Sequence, residues 1–118
     1  MERKQWPKAS KSFAVPLYGG MVHLFKTPAR YYAAREYLKC PAERGPLAGC
    51  HAHLQSDSGE SVYLIGWYDK RQSTLVHELG HCALAALEHV GIDARESSGE
   101  AFCYLLGTLA TLAGIDEF

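Results

Sequence analysis

The 118-residue sequence has almost no net charge: 12 Lys and Arg against 13 Asp and Glu leave −1 at neutral pH. A chain so balanced has no electrostatic reason to bind nucleic acid or an anionic membrane, and neither partner is expected. Its four cysteines, Cys40, Cys50, Cys82 and Cys103, form no C-x-x-C pair. That excludes a zinc knuckle or a thioredoxin-like redox site, and free thiols are expected. Hydrophobic runs are short, and none approaches the roughly 20 residues that span a bilayer. The basic start, residues 1–8, is followed by Lys11, Pro16 and Gly19-Gly20 rather than by an apolar signal core. The expected compartment is the cytoplasm. Internal repeats and low-complexity segments are missing as well.

What is present is an ordinary globular composition, 47% hydrophobic and 21% charged, in a length that suits one core. Residues 1–11 are polar and basic and read as a flexible arm; 12–118 read as a single domain. Residues 12–25 are apolar and aromatic but broken by Pro16 and Gly19-Gly20, with the better strand at 21–25. His23 lies in that strand without a spaced partner and is expected to be structural. Thr27-Pro28 opens a helix, with Thr27 as N-cap, that stops before Pro41; Tyr31, Tyr32 and Tyr37 should edge its core. Residues 40–49 are loop by their Pro and Gly content. Residues 50–55 and 61–68 read as a hairpin around a Ser/Asp/Gly loop, and His51 and His53 alternate so that they share one strand face.

The second helix carries the chemistry. Asp69 and Gln72 have capping-box spacing, Gly91 is the natural stop, and Leu75, Val76, Leu79, Ala83, Leu87 and Val90 recur as an apolar face. Beside that stripe stands His77-Glu78-Leu79-Gly80-His81, an H-E-x-x-H sequence. Four helical steps bring His77 and His81 to one face, where both can meet a single ion; Glu78 is rotated about a third of a turn away and can act as a base without being a ligand. Catalytic zinc takes three protein ligands and leaves a fourth position open. Candidates for the third are Glu88, Glu96, Glu100 and the pair His51 and His53. Glu88 lies two turns past His81 and is too far along the axis. Glu96 falls in the turn, whereas Glu100 opens a strongly apolar helix that should be held against the core. Glu100 has a structural rival role, because Ser97-Ser98-Gly99-Glu100 is itself a capping-box pattern.

Residues 74–83 fit the extended zinc-peptidase pattern, and Gly99-Glu100-Ala101-Phe102-Cys103-Tyr104 resembles the N-E-x-F-A-x-Y segment of the gluzincins, whose Glu is the third zinc ligand. The eighteen residues between His81 and Glu100 are also similar to gluzincin spacing. The metzincin pattern fails, since its third His and its Gly would fall on Leu87 and Leu84. The wording around the motif resembles small zincin-like proteins of phages and prophages.

The resemblance implies an α+β, zincin-like domain, with a small twisted sheet packed on an active-site helix and a C-terminal ligand helix. It implies a zinc endopeptidase acting on a peptide or protein substrate, with Zn2+ held by His77, His81 and Glu100 and with Glu78 as general base. Strand 62–68 would be the cleft edge, and Tyr104, His51 and His53 are candidate contacts to substrate or oxyanion. Cys82 and Cys103 are expected as buried thiols. One departure is expected: no C-terminal domain carrying the family's oxyanion Tyr or His. Two other functions compete. One is a catalytically weak or inactive zincin-fold binding or assembly protein of phage or prophage origin; the other is a structural zinc site closed by His51 or His53.

Overall fold

Four short runs of alternating side chains form one mixed sheet: β1 (Lys11–Ala14), β2 (Met21–Phe25), β3 (Gly49–Gln55) and β4 (Ser61–Trp67), in the spatial order β1-β2-β4-β3. The computed structural model describes residues 8–40, 42, 47–55 and 59–115. Strands β1 and β2 are antiparallel, β2 and β4 parallel, and β3 and β4 antiparallel. Residues 1–7 of the expected arm, the loop positions 41 and 43–46, and the hairpin tip 56–58 lie outside the described residues. Lys11, the arm's last residue, is the first of β1, and Ser10 N already donates to Leu24 O at 2.7 Å.

Strand β4 divides two cores because its side chains alternate. Leu64 and Val62 face Phe25, Tyr31, Tyr32 and Ala34 on one side. Tyr63 and Ile65 face Leu75, Leu79, Ala83, Leu87, Leu105 and Leu109 on the other. The first side is covered by helix α1 (Pro28–Tyr37), the second by α2 (Gln72–His89) and α3 (Glu100–Leu112). The sheet is therefore a middle layer of an α+β fold. Each fully buried Leu contributes about 1.5–3 kcal/mol by leaving water, so the denser α2/α3 side dominates.

Helix α1 begins as its sequence predicts. Thr27 is the N-cap, its Oγ1 accepting from Arg30 N at 3.3 Å, and Pro28 occupies the first turn where a missing N–H costs nothing. Helix α2 ends at Val90 and Gly91, whose φ of +77° suits glycine. No helix among the described residues is long and apolar enough to cross a membrane.

Several expectations need correction. Asp69 is not the N-cap of α2. Lys70 has a φ of +62°, so the chain makes another turn first, and Arg71 stands at the cap without a side-chain bond. Asp69 instead closes that turn, accepting from Arg71 N at 2.9 Å and from Thr74 Oγ1 at 2.7 Å. Val76 and Val90 lie off the buried face of α2, which is completed by Cys82 and Ala86. Cys103 is exposed rather than buried, although Cys82 is buried and all four thiols are free. Strand 62–68 is not the cleft edge, because β4 is flanked by β2 and β3; the edge beside α2 is β3.

Candidate functional site

The regular geometry of α2 puts His77 and His81 on successive turns of one exposed face, with ring centroids 4.9 Å apart. Glu78 faces the other way, toward the sheet, and is only 7% exposed. A buried carboxylate needs a partner. It finds one on β3: His51 Nδ1 lies 2.8 Å from Glu78 Oε1. An ionised carboxylate only accepts hydrogen bonds, so in this pair the donor is His51 Nδ1–H. The His51 ring also stacks on His81, 4.1 Å between centroids and 11° from parallel.

A glycine makes this approach possible. A Cβ on Gly49 would stand 2.8 Å from Gly66 O, 2.9 Å from Thr74 Cγ2 and 3.2 Å from Glu78 Cγ, so a side chain there would push the start of α2 off the strand. Desolvation first, then the neighbouring His51 and His77, hold the His81 pKa below the usual histidine value, while Glu78 works weakly against them.

Other predicted residues lie elsewhere. His53 is two residues along the same face of β3, but it serves a different neighbourhood: its Nε2 lies 2.9 Å from Ser61 Oγ and its ring stacks on Tyr63 at 4.5 Å. His89, at the far end of α2, is its other ring neighbour, at 5.6 Å. Burial first, then His89, lowers the His53 pKa. Glu96 is exposed in a short 3-10 turn, Glu96–Gly99. Glu100 is exposed at the first position of α3. It does not complete a capping box with Ser97: Ser97 and Ser98 have φ of 52° and 61°, and Gly99, at 75°, is the N-cap. An N-cap Ser needs extended backbone, which left-handed residues do not supply. Tyr104 is 65% exposed and does not pack into the core; it borders an open trough of 470 Å3 with Cys103, Gly107 and Thr108. A second cavity of 310 Å3, lined in part by Lys26, Trp67 and Leu75, opens at the start of α2; neither includes the two histidines.

No family model, no curated protein and no solved structure matches the chain.

Among the described residues, no set of three or more His, Cys, Asp or Glu side chains converges so as to hold a metal ion. His51, Glu78, His77 and His81 are neighbours, but one hydrogen bond and one ring stack turn their atoms toward each other instead of toward a common point. The donor chemistry of His77 and His81 still fits a borderline transition ion, since both rings are exposed on one helix face and the lowered pKa of His81 favours the neutral form that ligation requires. A third ligand would have to come from another element, and Glu100 is a carboxylate at the start of the helix packed on α2. Along the helix alone, the pairing of Glu78 with His51 was invisible; the H-x-H alternation beginning just after Gly49 is the signal that carries it.

Proposed function

We propose that the chain is a zinc-dependent peptide-bond hydrolase of the gluzincin type, with His77, His81 and Glu100 as metal ligands and Glu78 as general base. The observation that carries this reading is the separation of roles on α2: two exposed imidazoles 4.9 Å apart beside a carboxylate that is buried and held by a separate strand. A carboxylate committed to His51 is kept back from ligation and so remains available for proton transfer. Bound Zn2+ would supply Lewis acidity toward the scissile carbonyl and toward water. Glu78 accepts the proton of the attacking water and delivers it to the leaving amine. Strand β3, with an edge unpaired in the described sheet, lies next to this face and offers backbone groups to an extended peptide.

The resemblance adds the third ligand, Glu100, and the zincin-like character of the fold. The strained turn before Glu100 is in keeping with a placed side chain, since left-handed Ser residues cost about 1–2 kcal/mol each and need a compensating gain. The competing reading, a zincin-fold binding or assembly protein of phage or prophage type, is favoured by the exposure of Val76, Leu84 and Tyr104 on α2 and α3. Glu78→Gln separates the two. Zinc content, measured by mass spectrometry of the native protein, should stay at the parent's level, while peptide cleavage falls about 100-fold or more. A zinc-loaded parent that cleaves nothing in a broad peptide library, or a variant that cleaves as well as the parent, refutes the hydrolase.

A further inference from the structure

A general base works only if its free oxygen is held toward the water it deprotonates, and a Glu side chain has three rotatable bonds with which to drift. The hydrogen-bond partner of Glu78 among the described residues comes from β3 and not from α2 itself. We infer that His51 is the positioning residue for Glu78, holding its carboxylate in one orientation through Oε1, and that it is not itself a metal ligand. The inference rests on the hydrolase reading above and deepens it.

Three features of the structure support the clamp. The hydrogen bond is short, 2.8 Å, and charge-assisted because its acceptor is a carboxylate. The His51 ring plane is fixed as well, by the stack on His81 at 4.1 Å and 11°. The Nδ1 of His51 is already engaged by Glu78, which commits that ring to the carboxylate. The backbone beneath the clamp is equally fixed: His51 lies opposite Ile65 in the β3/β4 ladder, and the absent side chain of Gly49 sets the distance between strand and helix. His53, sharing the same strand face, is tied to Ser61 and cannot take the role.

The test combines one measurement on metal-free protein with two on the loaded protein. In the metal-free parent, 15N NMR of the imidazoles should find His51 in the Nδ1–H tautomer, and Glu78→Ala should return it to the commoner Nε2–H form. With cobalt in place of zinc, His51→Ala should keep the metal stoichiometry and the visible absorption of the parent, because the ligand shell is unchanged. In the zinc form, His51→Ala should lower kcat about 10- to 100-fold with KM unchanged. His51→Asn, whose amide N–H falls near the position of Nδ1, should recover most of the loss. A changed cobalt spectrum or lost stoichiometry makes His51 a ligand and overturns the inference, as does a tautomer indifferent to Glu78. If His51→Ala does not fold, the tautomer of the parent and the Asn variant still decide. A parent inert toward every peptide refutes the hydrolase reading, while the tautomer and cobalt results still say separately whether His51 holds Glu78.

Discussion

Gly49→Ala is the substitution that most directly probes how the site is assembled. The new methyl would meet Gly66 O at 2.8 Å, Thr74 Cγ2 at 2.9 Å and Glu78 Cγ at 3.2 Å. Carbon contacts settle near 3.5–4.0 Å, so these neighbours would have to retreat by roughly 0.3–0.7 Å. Two are side-chain atoms of α2, but the third is a backbone carbonyl of β4 and has little freedom to yield. Overpacking of this kind costs about 1–3 kcal/mol. Removing a glycine from the unfolded chain returns about 0.4–1 kcal/mol, so the net loss is about 1–2 kcal/mol. For a domain of this length each kcal/mol moves Tm by roughly 3–5 °C, and a drop of about 3–10 °C should appear in a circular-dichroism melt. Gly80→Ala is the control: it lies mid-helix in α2 with no atom within 4 Å of an added Cβ, and should gain about 1 kcal/mol from helix propensity alone. A Gly49→Ala protein as stable as the parent, beside a stabilised Gly80→Ala, would show that β3 does not press against α2 at Thr74 and Glu78.

Two further predictions concern stability and reactivity away from the histidines. Burial pushes the Cys82 thiol up to about 12, whereas Cys103 is exposed, so a maleimide at neutral pH should label Cys103 on the native protein and reach Cys82 only after unfolding; equal labelling rates by mass spectrometry would contradict the packing of α2. The hydrogen bonds from Thr74 and then Arg71 hold the Asp69 carboxyl below its usual value, so its contribution is present above the unfolded pKa of about 4 and is lost as pH falls through the lower folded value. Asp69→Ala should therefore melt below the parent at pH 7, with the gap narrowing at more acid pH; a gap independent of pH would refute the turn geometry.

The elements that were legible in the sequence are those whose signals are local. Thr27-Pro28 carries its own cap chemistry, Gly91 its own stop, and the strand 21–25 its own composition, so each stands where its residues direct. The start of α2 was not legible in the same way. Asp69 and Gln72 satisfy the capping-box spacing, but a left-handed Lys70 diverts the chain, and Arg71 O accepts from Trp67 Nε1 at 2.7 Å, a contact that the capping-box spacing does not encode. The exposure of Cys103 had the same kind of cause. Only one face of α3, marked by Leu105 and Leu109, meets the core, and an apolar sequence on all sides does not say which face that is.

The site divides along the same line. His77, Glu78 and His81 are related by helical period alone, and the period was enough to separate their directions. The pairing with His51 depends on how β3 lies along α2, and here the two repeats nearly match: two strand residues advance about 6.6 Å, and four helix residues about 6 Å. Because Gly49 meets Thr74 and Glu78, and Gln55 reaches His89, strand and helix run in the same direction. An H-x-H strand laid along an H-E-x-x-H helix in that sense can give only one of its histidines to the motif; the next is carried a turn or more beyond it. The glycine two residues before His51 fixes which one: His51 arrives at Glu78 and His81, and His53 is carried on to Ser61 and the neighbourhood of His89.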